Sequence, residues 1–362
     1  MDRAPIISCY ETGYTGDNNN QLAIARAVHS EAEIIQVKRC NYQAWKFGED
    51  FLLTNKPKPD LFLVPHFRVG EIGTKNLNQY REMGIFVVGI FPPDQLPEKI
   101  EEEPLDMEIY FQSSYHNGFD KYPERFTFYD YCPSPITTDS LQHAHENLPL
   151  EVQKIQTAAK GPITVISIGG ITAQEPVMTD GSLSIAQQET IRYNLNAMLS
   201  VTMEKIAAES GSTLLTTSRR TGAFCMDIIQ EHAGRVPSYV HDYAAEGPNP
   251  YVAILSVADR VVVSGDSISM IADAMTLGKP VYVFTPDYTP EEWENNCSCG
   301  EMPMPLLLPG IKSYTNMLFE RGHIHPFEDI SKPGIQNPKP LNPASQIGKN
   351  VFHAWKAWLQ QR

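Results

Sequence analysis

Polar residues crowd three points in the second half of the sequence, each directly after an apolar run that predicts a β-strand. The three sets are Gly169 and Gly170; Thr217, Ser218, Arg219 and Arg220; and Ser264, Gly265, Asp266, Ser267 and Ser269. Glycines let a bulky anion approach backbone amides, and adjacent guanidiniums bind phosphate or carboxylate through charge-assisted hydrogen bonds. Hydroxyls beside the free N–H groups of a helix start also suit an anion. Together the three sets favour a phosphate-containing ligand.

Each set also has a purely structural interpretation. Gly169 and Gly170 could form no more than a tight turn, and the two arginines could solvate a surface or pair with acids. Asp266 or Ser267 could simply be the N-cap of the following helix, a position that Asp and Ser often fill. The functional interpretation depends on the occurrence of all three sets at successive strand ends.

Asp273 points to a second feature of the same ligand. It follows Asp266 by seven residues, which is about two helical turns, so the two acids should share one face about 10 Å apart. That distance suits phosphates at the helix start and a ribose further along, because a carboxylate accepts two hydroxyl hydrogen bonds. The alternative is a solvated or ion-paired helix acid. Asp266 fits poorly beside a diphosphate because like charges repel, so it is expected to cap the helix or bind a sugar hydroxyl.

Alternating strands and helices would place these residues at one edge of a sheet. PIISCY, DLFLVP and GIFVVGIF predict strands in the first half, and ITVISIGG, TLLTTSRR and VVVSG predict strands in the second. Nearly unbroken apolar strands that alternate with helices are typical of parallel sheets covered on both faces. The predicted fold is therefore α/β, with two doubly wound Rossmann-like domains that face a cleft. Ligands are expected beyond the carboxyl ends of the strands.

The predicted organisation has four parts. Residues 1–140 form the first Rossmann-like domain, and residues 141–161 form a polar, proline-flanked linker. Residues 162–330 form the second Rossmann-like domain. Residues 331–362 contain a proline-rich segment and a helix that is expected to pack back on the first domain.

The charge of the chain argues against one class of partner. With 29 basic and 43 acidic residues among 362, the formal net charge is −14, which repels nucleic acid and anionic lipid on average. The start of the sequence lacks the pattern of a signal or transit peptide, and no apolar run approaches the roughly 20 residues that span a bilayer. Six scattered cysteines are too sparse for a disulfide framework. A cytoplasmic protein without a nucleic-acid partner or a transmembrane segment is expected.

Specific motifs in the second half resemble a known family. Asp273, Gly278 and Pro280 form an acid–four residues–Gly–X–Pro pattern, which is similar to the donor-nucleotide motif of GT-B glycosyltransferases. The strings LLTTSRRTG, NPY with SVADRVVVSGDSISMIADAMTLGKPVYVF, and LFERGHIHPF resemble most closely the mitochondrial-fission-factor and outer-core glycosyltransferase family. The resemblance is specific from about Ile163 to Phe327. It implies a GT-B-like fold and a sugar-transferase role, whereas the plant branch of the family recruits a dynamin-related protein to mitochondria.

The resemblance also implies roles for individual residues. The second domain would bind the donor, and the first would bind the acceptor. The donor nucleotide-sugar site would comprise Gly169, Gly170, Thr217, Ser218, Arg219, Arg220, Asn249, Pro250, Ser264, Asp266, Ser267, Ser269, Met270, Asp273 and Gly278.

The first half departs from the family at the place where the acceptor should bind. GYTGDNNNQLAIARAV, from Gly13 to Val28, resembles the N-terminal loop of the family, but Asp17 stands where His is usual and one additional residue precedes Gln21. Asp17 is the leading candidate for the catalytic base that deprotonates the acceptor hydroxyl, and His66 is the second. Asp17 could instead cap a helix, and His66 could be an ordinary partly buried histidine.

Three functions remain open at this point. The leading hypothesis is a metal-independent glycosyltransferase whose substrate is a nucleotide sugar, with no cofactor and an unidentified acceptor. A lipid-linked acceptor would require peripheral contact at the inner face of a membrane. A nucleotide-sugar 2-epimerase or hydrolase on the same fold is the second, served by Asp17, His66, His241 and Asp242. The third is a non-catalytic adaptor of the mitochondrial-fission-factor type, which keeps the fold for protein contacts.

Overall fold

The computed structural model divides the chain into two compact units. The structure describes residues 3–11, 15–38, 57–65, 72, 74–91, 105–111, 126–169, 185–218, 221, 225–285, 307–332, 335 and 338–362. The N-terminal unit comprises Met1–Pro135 together with Asn342–Arg362, and the C-terminal unit comprises Ile136–Leu341. The predicted linker at residues 141–161 differs from this arrangement, because most of it forms two helices that pack within the C-terminal unit.

A parallel sheet of six strands organises the N-terminal unit. Its strands are β1 (Ile6–Glu11), β2 (Glu33–Lys38), β3 (Leu61–Pro65), β4 (Phe86–Phe91), β5 (Met107–Phe111) and β6 (Phe126–Tyr129), in the order β2-β1-β3-β4-β5-β6. Helices α1 (Thr15–Val28) and α2 (Thr74–Glu82) lie between strands. The C-terminal helix α10 (Ala344–Gln360) packs against α1, where Gly348 lies so close to Ala27 that no Cβ would fit. The last residues of the chain thus complete the N-terminal unit.

A second parallel sheet of six strands organises the C-terminal unit. Its strands are β7 (Ile163–Ile168), β8 (Ser212–Thr217), β9 (Ser238–His241), β10 (Arg260–Ser264), β11 (Val281–Phe284) and β12 (His325–Pro326), in the order β12-β11-β10-β7-β8-β9. Its helices are α3 (Thr138–Glu146), α4 (Leu150–Ala158), α5 (Ile185–Ala208), α6 (Met226–Ala233), α7 (Tyr251–Ser256), α8 (Ile268–Met275) and α9 (Leu307–Glu320), and a 3-10 helix covers Phe327–Ser331. Strand and helix alternate from β7 to β12, which confirms the predicted doubly wound class.

Helices cover both faces of the second sheet. The chain runs outward from β7 through β8 to β9, then returns to β10 and continues to β12. Right-handed crossovers in opposite directions place their helices on opposite faces, so α5 and α6 cover one face and α7 and α8 the other. The apolar cluster beneath α5 and α6 includes Ile166, Leu199, Leu215, Ile229 and Val262. The strand order reverses between β7 and β10, and such a switch point is where open α/β sheets bind their ligands.

Within the described segments, no helix combines the length and the apolar character that crossing a bilayer requires.

Candidate functional site

The first and third predicted junctions meet at the switch point of the C-terminal unit. Gly169 follows β7, and its N–H donates a hydrogen bond of 2.7 Å to the Ser264 hydroxyl at the end of β10. A Cβ on Gly169 would lie 2.8 Å from both carboxylate oxygens of Asp266 and 2.9 Å from Ser264 Oγ. Real Cβ contacts are not that short, so a Cβ at position 169 would force the buried Asp266 carboxylate and Ser264 hydroxyl to shift.

Thr221 joins the second junction to the first. Its hydroxyl lies 2.7 Å from the Gly169 carbonyl and 3.0 Å from the Ile168 carbonyl, and it accepts the Ser218 N–H at 2.9 Å. The side chain is 2% exposed. One buried hydroxyl therefore ties the turn after β8 to the turn after β7. The prediction of site residues missed Thr221, although the TTSRRTG string contained it.

Thr217 connects the second junction to the loop after β9. Its hydroxyl accepts the Tyr243 N–H at 2.8 Å and lies 3.4 Å from an Asp242 carboxylate oxygen, which also accepts the Ala244 N–H. Thr217 is buried. Its hydroxyl therefore holds a neighbouring loop, beside the strand end where anion binding was predicted.

The start of α8 offers backbone amides. Ser267 is the N-cap residue of α8, but its side chain makes no capping hydrogen bond. The N–H groups of a first helical turn lack partners within the helix and lie at its positive end. Ser269 and Met270, in that first turn, are half-buried, whereas Ser264, Asp266 and Ser267 are buried. Ser267 thus occupies the N-cap position that the structural interpretation gave it, but without the side-chain hydrogen bond of a cap.

Asp273 lies deeper than the sequence indicated. The helix α8 begins at Ile268, so Asp266 belongs to the preceding turn, and the prediction of one shared helical face was wrong. Asp273 is 3% exposed. The hydroxyl of Tyr251, at the start of α7, is buried near the Asp273 carboxylate, without a hydrogen bond of ordinary length and angle among the described residues. Burial and then the Asp273 charge raise the pKa of Tyr251 well above its usual value. Tyr251 therefore stays protonated.

Two residues of the predicted donor site, Asn249 and Pro250, have structural roles at the start of α7. Asn249 is exposed, and its side-chain oxygen accepts the Tyr251 N–H at 3.0 Å, while Pro250 is buried at the N-cap position of α7. Both residues thus shape the start of α7.

Gly278 lies away from the three junctions. It follows α8 at the end opposite to Ser264, with φ of +63°, and a Cβ there would lie 2.7 Å from Pro340 Cγ. The structure thus gives Gly278 a role in the turn and in packing against the segment before α10, and it does not bring this residue to the junctions.

Asp17, the leading candidate for the catalytic base, lies in a helix and not in the predicted loop. The helix α1 begins at Thr15, so Asp17 belongs to its first turn. Gln21 fixes this helix to β1, because its buried amide accepts the Tyr10 N–H at 2.9 Å and donates to the Tyr10 carbonyl at 2.8 Å. The predicted site residues His66, Gly170, Arg219 and Arg220 lie outside the described residues.

Metal binding was examined among the same segments. Across the part of the chain that the structure describes, no group of three or more His, Cys, Asp or Glu side chains is arranged to hold a metal ion.

A comparison with known protein families identifies the family to which the chain belongs. The family model described as Mitochondrial fission ELM1 matches residues 116–355, which is well over half of the sequence. The chain belongs to the mitochondrial fission ELM1 family. This membership confirms the resemblance that the motifs of the second half indicated.

Two relatives of this ELM1-family chain match over shorter stretches. The mitochondrial fission protein ELM1 of Arabidopsis thaliana is 29% identical over 161 residues, which cover 44% of this chain and 33% of the relative. An uncharacterized protein of Rickettsia prowazekii is 38% identical over 77 residues, which cover 20% of this chain and 21% of the relative. The chain thus spans about a third of the first relative's length and about a fifth of the second's.

A solved structure shows the fold of the ELM1-family chain. The glycotransferase of kitacinnamycin aligns with a TM-score of 0.50 at 13% sequence identity, over 99% of this chain and 100% of that one. Identity this low indicates a shared fold alone. With its two parallel six-stranded sheets, the chain has the two-domain architecture of GT-B glycosyltransferases, as the sequence predicted.

Proposed function

We propose that this chain transfers a sugar from a nucleotide-activated donor to an acceptor, and that the C-terminal unit binds the donor. The observation that carries the proposal is the hydrogen-bond network among Gly169, Ser264, Thr221 and Ser218, which holds three strand ends together at the switch point. Such convergence of loops beyond the carboxyl ends of parallel strands is the usual ligand position in this class of fold.

The chemistry of the junctions supports a diphosphate as the bound group. The first turn of α8 presents N–H groups without a side-chain cap, and its partial positive charge favours an anion. The half-buried Ser218 and Ser269 can add hydroxyl donors. Arg219 and Arg220 follow Ser218 directly in the sequence, and two guanidiniums would bring positive charge to a site in a chain whose net charge is −14.

The same groups would assist bond cleavage. When the sugar leaves the donor, negative charge grows on the departing diphosphate, and fixed N–H groups or guanidiniums stabilise that charge in the transition state. The acceptor hydroxyl must also lose a proton. Asp17 stays the leading candidate for this base, and His66 the second. Asp273 would accept hydrogen bonds from the donor ribose, which requires access to a carboxylate that is now buried.

The second candidate function is a non-catalytic adaptor. The observation that favours it is the name of the Arabidopsis thaliana relative, a mitochondrial fission protein. An adaptor would keep the fold for contacts with other proteins and would have no need of a nucleotide. The two proposals therefore differ in whether the chain binds nucleotide sugars.

Substitution of Thr221 tests the donor site. Calorimetric titration with UDP-, GDP-, CMP- and dTDP-sugars should reveal one donor class that binds the natural chain. Thr221→Val removes the hydroxyl that joins two junctions, and we expect at least a tenfold loss of affinity, whereas Thr221→Ser should retain binding.

Thr202→Val is a matched control. Thr202 is buried in α5, and among the described residues its hydroxyl bonds only the Met198 carbonyl of its own helix, at 2.7 Å, so affinity should not change. Equal affinities of the Thr221→Val variant and the natural chain would remove the proposed donor site. The absence of binding to every donor would favour the adaptor.

A further inference from the structure

Helix α5 carries apolar side chains on its outer face as well as on its inner face. The inner face packs on the second sheet through residues such as Leu195, Leu199 and Met203. On the outer face, Tyr193 is 67% exposed and Val201 is 42% exposed, and they are two of the five large hydrophobic side chains that the described residues expose. A helix with apolar residues all round usually has all of its faces covered. The outer face of α5 is therefore a candidate interaction surface.

The exposed apolar side chains belong to one row along the helix. Glu189, Tyr193, Ala197, Val201 and Lys205 follow one another at intervals of four residues, so they form a ridge about 24 Å long. The first four are exposed and Lys205 is half-buried. An acid thus stands at one end of the 189–205 row and a base at the other, with apolar side chains between them.

This row is complementary to itself in the antiparallel direction. When a second copy of α5 lies against the first about a two-fold axis at Ala197, Glu189 of one copy lies opposite Lys205 of the other. Tyr193 of one copy then lies opposite Val201 of the other. Ala197 meets its own counterpart, and its small side chain lets the two helices approach closely.

The neighbouring row has the same property. Arg192, Asn196, Ser200 and Glu204 also follow one another at intervals of four, and all but the half-buried Ser200 are exposed. In the same antiparallel arrangement, Arg192 of one copy comes near Glu204 of the other. Each row therefore brings a base to an acid at both of its ends. This match in charge is specific to a second copy of the same helix and favours it as the occupant.

Lys205 can take part without leaving a charge unpaired. In the single chain it forms an ion pair of 2.8 Å with Glu209, one turn further along α5. Such partly exposed pairs contribute little to stability. Arg260 also holds the Glu209 carboxylate, at 2.6 Å. Glu209 therefore keeps a partner when the Lys205 side chain turns to an acid of the second copy.

We propose that the outer face of α5 binds a second copy of this chain, in an antiparallel helix pair centred on Ala197. One pair of helices this long buries less than the about 800 Å² per partner that is usual for stable complexes. The net charge of −14 adds a long-range repulsion between the copies. Both effects limit the affinity, so the dimer has a dissociation constant in the micromolar range. The inference does not depend on the proposed donor site.

Sedimentation velocity of the whole chain, at concentrations from about 1 to 100 μM, measures the association. The natural chain should pass from monomer to dimer in this range. Ala197→Glu places two like charges together at the two-fold axis and should weaken the dimer at least tenfold, because like charges in contact repel. Leu150→Glu is the matched control. Leu150 lies on α4 and is 59% exposed, so the same charge there should leave the dissociation constant unchanged.

A charge exchange tests the antiparallel register. Glu189→Lys brings a second base to Lys205 of the other copy and should weaken the dimer about three- to tenfold. Addition of Lys205→Glu to that variant exchanges the two signs and should restore most of the affinity. Circular dichroism shows whether each variant stays folded. Tyr193→Ser removes an exposed ring from the contact and should also weaken the dimer, so it replaces Ala197→Glu if that variant does not fold.

Three results would overturn the inference. The first is a natural chain that stays monomeric at the highest concentration. The second is a dimer that neither Ala197→Glu nor Tyr193→Ser weakens, because that dimer would use another surface. The third is equal weakening by Glu189→Lys and by the charge exchange, because the two ends of the row would then not face each other.

Discussion

The Gly169 N–H donates a 2.7 Å hydrogen bond to the Ser264 hydroxyl, across the two adjacent strands at which the order of the second sheet reverses. This bond joins the turn after β7 to the turn after β10, and both groups are buried. A side-chain hydroxyl here does what a backbone carbonyl does along the strands themselves. The geometry of the proposed anion site therefore depends on a serine and a glycine that the sequence separates by 95 residues.

Ser264→Ala should destabilise the C-terminal unit. The substitution leaves the buried Gly169 N–H without its acceptor, and an unsatisfied buried group costs about 1–3 kcal/mol. The free energy of unfolding from denaturant titration measures this loss. Ser256→Ala is the control, because in the part of the chain that the structure describes the Ser256 hydroxyl bonds only the Ala253 carbonyl within α7, and its loss should cost well under about 1 kcal/mol. Equal costs would contradict the assigned role of the Ser264 hydroxyl.

Gly169→Ala should destabilise the C-terminal unit and also abolish nucleotide binding. The added methyl group would lie 2.8 Å from the Asp266 carboxylate oxygens, so the buried Asp266 and Ser264 side chains must shift. We expect a loss of about 1–3 kcal/mol in the free energy of unfolding, typical of forced overpacking, together with loss of nucleoside-diphosphate binding in calorimetry. At Gly234, by comparison, a Cβ would have ordinary contacts, with Gln230 O at 3.4 Å, so Gly234→Ala should change neither quantity appreciably. A Gly169→Ala chain that binds like the natural one would show that the junctions do not form the site.

The position of the three junctions could be predicted from the sequence. Each follows a run of apolar, largely β-branched residues, and parallel strands must end at the same edge of a sheet. The GT-B architecture and the family were also predicted, since the strings around Ser218, Ser264 and Asp273 are distinctive. These features depend on local pattern and on chain order, which a sequence displays directly.

Contacts between distant residues could not be predicted. Thr221 bonds a carbonyl 52 residues away, and nothing in the TTSRRTG string distinguishes its hydroxyl from that of Thr217. Asp273 is buried, and its charge raises the pKa of Tyr251, which belongs to another helix. Two helices also begin at residues other than those predicted from the sequence. Helix α1 begins at Thr15 and includes Asp17, and α8 begins after Asp266. Periodicity fixes a helix better than it fixes the residue at which the helix begins.

Gly278→Ala should separate the turn role of this glycine from ligand binding. Gly278 has φ of +63°, a conformation that costs an L-residue about 1–2 kcal/mol, and a Cβ would also collide with Pro340. Gly322 has a similar φ of +70° with no atom within 4 Å of a Cβ, so Gly322→Ala measures the backbone cost alone. Thermal and denaturant unfolding should show a larger loss for Gly278→Ala. Its nucleotide affinity at temperatures well below unfolding should remain that of the natural chain, and a selective loss of affinity would restore Gly278 to the donor site.

His232 should make the stability of the C-terminal unit depend on pH. Its Nε2 lies 2.8 Å from Asn196 Oδ1, and its buried Nδ1 has no hydrogen-bond partner in the described segments. Burial, assisted by Arg235 and opposed by Glu231, lowers the pKa of His232 below its usual value. The unfolded chain therefore takes up the proton first, at about pH 6.5, and stability falls as the pH decreases from there toward the lowered folded pKa.

The matched variants are His232→Gln and His145→Gln. Glutamine at position 232 cannot be protonated, so the slope of unfolding free energy against pH between about 7 and 5 should become shallower. His145 is exposed on α3, and its replacement should preserve the natural slope. If both variants kept the natural slope, the acid sensitivity would have to come from groups other than His232.

The most direct test of the donor site is calorimetric titration of the whole chain with a nucleoside diphosphate and, separately, with the matching nucleoside. Binding of the diphosphate at least tenfold more tightly than the nucleoside, lost in Gly169→Ala and retained in Gly234→Ala, is the result expected if the junctions after β7, β8 and β10 grip a pyrophosphate. Equal affinities for diphosphate and nucleoside, or no binding of any nucleoside diphosphate, would contradict it.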